Sequence, residues 1–297
     1  MTAAPAPGPG EVAEALDVPL RVRVELAHAA VQALADRAGV DVLHVKGPAV
    51  HPGLRDSGRA GTDVDVIVRP SGVEALMGAL GAHGWRVETT FDAGSAFDHA
   101  ANLYHPSWGL LDVHRHYPGM DRDPAGTFDR LWADRTCMAL AHVSCAVPDP
   151  IAQSLVLLLH AARTPVPGGP HPDIAPNWTD RTDQDRERIR ALAADTGATV
   201  ALAAATGHLD EHRGDPEAAL WEVFVHGGDR LDEWGARWRA ARGPRAKASV
   251  ARRALRVNRY YLGRRIGHPP TRTDVAAEFV RRLAEGVRAV GRKVARR

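Results

Sequence analysis

The run Arg59-Ala-Gly-Thr-Asp63-Val-Asp65-Val-Ile-Val sets two carboxylates two residues apart in an apolar, β-branched stretch. Side chains alternate across a strand, so Asp63 and Asp65 leave one face about 7 Å apart along it, and Val64 and Val66 leave the other. Two carboxylates on one face repel each other and are poorly placed to be buried unpaired, a conflict that a divalent cation between them resolves. Oxygen ligands suit Mg²⁺, which keeps waters and takes further ligands from substrate phosphates. Gly109-Leu-Leu-Asp112-Val-His114 repeats the pattern, with an acid and an imidazole on one face. If this strand lies beside the first, Asp112 completes a triad able to hold two metal ions and steer an in-line displacement at phosphorus. Upstream, Lys46-Gly47 closes another β-branched stretch and opens what reads as a helix. Glycine there lets backbone N–H groups approach a phosphate, Lys46 adds a mobile positive charge, and Arg59 can fork onto phosphate oxygens.

The elements that must position these groups alternate in the first half of the chain. Glu11 to Ala38 reads as a helix broken near Pro19. Strands are expected at Val42–Val45, Val64–Val68, Trp85–Thr90, Ala100–His105 and Gly109–His114, with a helix from Gly72 to His83 capped by Ser71 and stopped by Gly84. Thr136 to Val147 alternates as a β-hairpin. Beyond Pro148-Asp149-Pro150 the chain reads as helical: Ile151 to Ala162, then a Pro/Gly-rich loop at Thr164 to Pro176, then helices near 182–205, 214–240, 244–262 and 273–295. The expected organisation is a disordered tail over 1–10, an α/β (α+β) domain with a mixed sheet over 11–150, and an all-helical region over 151–297.

Charge divides the chain further. Residues 241–297 hold 17 Lys/Arg against 3 Asp/Glu, whereas the first 240 hold 21 against 33. A basic tail on an acidic body suits either self-attraction or an anionic partner, nucleic acid included. No apolar run approaches the roughly 20 residues needed to span a bilayer, and the first ten residues lack the charged and apolar regions of a signal peptide. Cys137 and Cys145 are too few for a disulfide framework or a four-thiolate zinc site. A cytoplasmic protein without a transmembrane segment is the expectation. The fifteen histidines contain no His-Glu-x-x-His run of a zinc protease.

Together, Lys46-Gly47, Arg59 with Asp63 and Asp65, and Asp112 with His114 resemble the motifs of the nucleotidyltransferase superfamily with the DNA polymerase β-like fold. Within it they resemble a bacterial group with Lys-Gly, Arg-x-x-x-Asp-x-Asp and acid-x-His motifs. The resemblance covers roughly residues 40 to 165 and extends to a helix ending Leu158-Leu159-His160. It implies a nucleotidyltransferase that moves a nucleoside monophosphate from an NTP, ATP among them, to an acceptor and releases pyrophosphate. Asp63, Asp65 and Asp112 would then be catalytic and bind metal, with two Mg²⁺ ions per site. Lys46, Gly47 and Arg59 would bind the nucleotide, with His114 as a further site residue. The chain departs from the superfamily at Pro48, which lacks an N–H and so removes one phosphate donor that Lys46 can offset.

A small molecule or a protein or peptide side chain is the favoured acceptor, since the chain has no room for the thumb and fingers domains of a template-directed polymerase. The rivals are a toxin-like enzyme that modifies tRNA or protein, a nucleotide-binding scaffold without turnover, and a nucleic-acid-binding module carried by the tail. Elsewhere, His44, the two cysteines and the pair Trp234 and Trp238 read as structural and buried. Val275, Phe279, Leu283, Val287 and Val290 form an amphipathic stripe expected to lie against the rest of the protein. Asp63→Asn or Asp65→Asn is expected to abolish transfer with little loss of folding, because it removes repulsion on the strand face.

Overall fold

The computed structural model describes residues 18–56, 59, 61–91, 99–228, 230–241, 243–255 and 257–295. The expected tail over 1–10, and the first part of the expected leading helix, lie outside these residues. The first helix, α1 (Leu20–Ala38), starts directly after Pro19 and ends at Gly39, whose φ of 64° gives the left-handed cap that glycine adopts without strain.

Five strands follow as expected, with ends shifted by a residue or so: β1 (Val42–Val45), β2 (Asp63–Val68), β3 (Arg86–Thr89), β4 (Ala100–His105) and β5 (Gly109–His114). Helix α2 (Val73–Ala82) lies between β2 and β3. The sheet order is β1-β2-β5-β4-β3, with β2 and β5 parallel and every other pair antiparallel, so the sheet is mixed. β2 therefore has a neighbour on both sides, which explains its valine-rich sequence.

Each face of this sheet carries its own apolar layer. Val42, Val64, Val66, Val68, Leu111 and Val113 turn toward Val24 and Val31 of α1 and Leu76 and Leu80 of α2. Leu43, Val45 and Ile67 turn the other way, onto Tyr117, Met120, Phe128 and helix α4 (Pro150–Arg163). Burying one such aliphatic side chain contributes about 1.5–3 kcal/mol. Between β5 and α4 lie helix α3 (Pro124–Ala133) and the hairpin β6 (Thr136–Leu140) and β7 (Val143–Val147), which forms a separate two-stranded sheet. Cys145 is buried in this hairpin, but Cys137, expected buried, is exposed.

Several expectations are corrected. Ser71 does not cap α2: Pro70–Gly72 closes as a 3₁₀ turn in which the Gly72 N–H donates to the Arg69 carbonyl at 2.8 Å, so Gly72 takes the cap position. Gly47 opens only a three-residue 3₁₀ turn, Gly47–Ala49, because Pro52-Gly53 follows within a few residues. Helix α3 was not expected, although Asp123 caps it by accepting from the Gly126 N–H at 3.1 Å and Pro124 opens its first turn.

Three of the long helices expected near the C-terminus are each two. α5 (Asp183–Asp195) and α6 (Thr199–Thr206) part at Gly197, φ 76°. α7 (Ala218–His226) and α8 (Arg230–Ala240) part after Gly227, φ 71°. α9 (Gly243–Leu255) and α10 (Arg259–Ile266) part ahead of Asn258. The last, α11 (Arg272–Ala295), is continuous. Its stripe is only half covered: Val275 and Phe279 are half-buried, while Leu283 is 44% exposed. The side chains of Val287 and Val290 lie outside the described residues. Trp238 of α8 is exposed rather than buried. No described helix is long and apolar enough to cross a membrane.

Candidate active site

Strand register brings the acids together. β2 and β5 pair in parallel with Asp65 opposite Asp112 and Ile67 opposite His114, while Asp63 stands opposite Leu110. Val64, Val66, Leu111 and Val113 are committed to the α1 side by burial, so the alternate residues must emerge on the α4 side. Side-chain oxygens of Asp65 and Asp112 and a ring nitrogen of His114 all lie within 4.8 Å of one another. Asp63 stands two residues before Asp65 on the same strand face.

Each acid has its own surroundings. The Asp65 side chain is 3% exposed, and its Oδ1 accepts from Lys46 Nζ at 2.6 Å and from His114 Nε2 at 2.9 Å. Burial pushes its carboxyl up, but the Lys46 charge and the His114 N–H outweigh this and hold it well below the usual carboxylate range. Asp112 accepts from Asn102 Nδ2, and Asn102 in turn accepts from Thr89 Oγ1, in a chain that runs across β3, β4 and β5. Burial, followed by the charges of Asp65 and Asp63, pushes the Asp112 carboxyl up to about 7. Asp63 is raised by burial and by Asp65. His114 is kept neutral by burial, so the N–H it gives Asp65 sits on Nε2, and it orients that carboxylate from behind. Its Nδ1 is buried with no hydrogen-bond partner among the described residues.

Glycine shapes the approach to these acids. Gly47 has φ 51°, and a Cβ on Gly61 would lie 2.9 Å from the Gly47 Cα, so the backbone ahead of Asp63 can reach the Lys46-Gly47 corner only without a side chain at 61. Lys46 itself has φ 61° and ψ −176°, a region that L residues rarely enter.

The structure gives Arg59 a partner that the sequence did not suggest. Arg59 Nη1 donates to Asp173 Oδ1 at 2.7 Å, and Arg55 grips the same carboxylate with Nε at 2.9 Å and with Nη2. Asp173 is fully buried, and Asn177 Nδ2 donates to the carbonyl of Leu54 at 2.8 Å, so the Pro/Gly-rich loop beyond α4 holds the β1–β2 connection. Asn102, Arg55, Asp173 and Asn177 were all missed. The one acid in the Pro/Gly-rich run at 164–176 was a signal for Asp173.

The donor set fits a hard divalent cation. The Asp65 charge raises the proton affinity of Asp63 and Asp112, and a cation relieves the same repulsion.

No protein-family model matches the chain, and no curated protein matches it. Among solved structures, the lincosamide antibiotic adenylyltransferase LnuA, in a lincomycin-bound crystal structure, is similar at 18% identity over 58% of this chain and 98% of its own, with a TM-score of 0.34. The antibiotic-resistance factor ANT(2'')-Ia, solved in solution, is 20% identical over 66% of this chain and 100% of its own, with a TM-score of 0.42. An antigenic nucleotidyltransferase-like protein from Paracoccidioides brasiliensis is 17% identical over 70% and 97%, with a TM-score of 0.34.

Proposed function

We propose that this chain is an enzyme that carries out Mg²⁺-dependent transfer of a nucleoside monophosphate from an NTP to a hydroxyl of a small-molecule or protein or peptide acceptor. One observation carries the reading: the register of β2 on β5 sets Asp65 beside Asp112 on one sheet face, with Lys46 at the mouth of a glycine-shaped corner. Asp63, Asp65 and Asp112 would hold the metal. When bound, Mg²⁺ supplies Lewis-acid polarisation of the phosphoryl group and neutralises its developing charge.

The chain's own residues do the rest. The acceptor oxygen forms a bond to the α-phosphorus as the bond to the bridging oxygen breaks, and pyrophosphate leaves. Asp112, kept basic by burial and by its acidic neighbours, takes the hydroxyl proton. Lys46 and the Gly47 N–H meet the charge that shifts to the leaving group, and Arg59, steadied by Asp173, is the outer cation of the phosphate side. His114 keeps Asp65 in one orientation.

The test is to incubate the protein with each NTP, Mg²⁺ and cell extract, follow pyrophosphate release, and use mass spectrometry to find what gains a nucleotide mass. Release that depends on Mg²⁺ and is lost in Asp65→Asn supports the reading. Release retained in Asp65→Asn would refute it. Labelling confined to tRNA would keep the chemistry and move the acceptor to nucleic acid.

A further inference from the structure

Lys46 occupies the carboxylate that the cation needs. Its Nζ lies 2.6 Å from Asp65 Oδ1, the oxygen that also receives the His114 N–H, and the two side chains are 13% and 3% exposed. An ammonium and a divalent cation drawn to one buried carboxylate repel each other strongly, because little water is present to screen them. The lysine is also the residue next to Gly47, where the corner would take phosphate, and its compact charge sits on a flexible four-carbon stem. Its backbone is held at φ 61° and ψ −176°, so the ammonium is placed on Asp65 at the cost of a strained main chain.

We propose that Lys46 is an exchangeable counter-ion: it competes with the metal for Asp65, is drawn off by the triphosphate, and so couples metal binding to nucleotide binding. The inference rests on the nucleotidyl-transfer reading and extends it. Metal alone meets a carboxylate already neutralised by Lys46. Metal arriving with a triphosphate meets a carboxylate whose lysine has turned to the phosphates. Coupling of this kind is reciprocal, so the same side chain that weakens metal binding strengthens nucleotide binding in the presence of metal. A fixed structural ion pair would do neither.

The experiment uses the full-length chain and its Lys46→Gln variant, which keeps an N–H donor for Asp65 without the charge. Mn²⁺ binding without nucleotide is read from the loss of the free-ion EPR signal. Binding of a non-hydrolysable fluorescent ATP analogue is then read at saturating Mn²⁺. The expected result is that Lys46→Gln binds Mn²⁺ alone at least tenfold more tightly than wild type, and binds the analogue at least tenfold more weakly. Mn²⁺ affinity unchanged in Lys46→Gln overturns the proposal; weaker analogue binding in that case leaves Lys46 as a plain phosphate contact and the transfer reading intact. Tighter Mn²⁺ binding with unchanged analogue binding also overturns it, because the lysine is then not passed to phosphate. If neither protein binds Mn²⁺ or the analogue, the transfer reading falls with it. Should Lys46→Gln fail to fold, Lys46→Arg serves instead. Its forked guanidinium keeps the charge on Asp65, so Mn²⁺ binding stays at or below the wild-type level, and tightening there overturns the proposal.

Discussion

Strands β1 and β2 carry a buried polar cluster on each face, and the two are satisfied in opposite ways. On the α1 side, His28 Nδ1 meets His44 Nδ1 at 2.8 Å, and His44 Nε2 meets Gln32 Oε1 at 3.1 Å. Burial drives the pKa of His28 down to about 4 and holds that of His44 well below the usual imidazole range, so both rings are neutral. The hydrogen bonds then fix the tautomers: His44 gives its Nε2–H to Gln32 and accepts on Nδ1 from the Nδ1–H of His28. No charge is left over. On the α4 side, Asp63, Asp65 and Asp112 face the ammonium of Lys46, and Asp112 resists ionisation. The neutral network leaves one ring nitrogen, His28 Nε2, without a hydrogen-bond partner among the described residues but no charge to balance, whereas an excess of buried or half-buried carboxylate calls for a cation. On the proposed reading, one face is scaffold and the other is chemistry.

Substitutions that cut each cluster sharpen this contrast, and their effects on folding fall in order. Asp65→Asn is expected to lower transfer by about 10³-fold and to destabilise the fold by about 3–5 kcal/mol, because Lys46 stays buried with no carboxylate. Pyrophosphate release and urea denaturation check the two parts. The destabilisation revises the sequence expectation that this change is neutral, which did not foresee Lys46 as the partner.

His44→Leu strips partners from His28 and Gln32 and is expected to cost about 1–3 kcal/mol in urea denaturation while leaving transfer intact. Loss of transfer in that variant would merge the two faces into one site.

Acid also separates the faces. His28 is neutral when folded and titrates near 6.5 when unfolded, so below that pH the unfolded chain binds more protons. The His28 contribution to stability is full above about 6.5 and falls as pH drops toward 4, by about 2 kcal/mol at pH 5. Asp112, raised to about 7, gains stability over the same window, so the loss is read as the difference in melting temperature between wild type and His28→Asn at pH 7.5 and pH 5, and an identical pH dependence in the two would mean that His28 is not held neutral.

The smallest effect on folding belongs to Asp112→Asn. It removes a repelling charge while keeping an oxygen for Asn102, so stability is expected to be unchanged or slightly raised while transfer is lost. Equal destabilisation in Asp112→Asn and Asp65→Asn would contradict the different surroundings assigned to the two acids.

What was readable in the sequence was local. Alternation in Asp63-Val-Asp65-Val and in Leu111-Asp112-Val113-His114 sets which side chains share a face, and β-branched residues mark β1 and β2. The pairing of β2 with β5 had to be assumed, because a parallel neighbour arrives from far along the chain and leaves no local trace. Asn102 is a partner of Asp112 only through β4, and Asp173 meets Arg55 and Arg59 across more than a hundred residues. Long helical periods masked the breaks at Gly197 and Gly227, where a glycine at positive φ turns the chain between two helices. Asp123-Pro124 was a legible cap for α3, and Phe128, Leu131 and Trp132 follow it at i, i+3 and i+4, a helical signal that the sequence reading passed over.

The central claim is that Asp65 and Asp112, with Asp63 above them, hold a divalent cation beside a triphosphate. The most direct measurement is anomalous scattering from a crystal grown with Mn²⁺ and a non-hydrolysable NTP. The expected result is an anomalous peak between the side chains of Asp65 and Asp112 with the phosphates beside it. A peak elsewhere, or phosphates bound away from this sheet face, would contradict it.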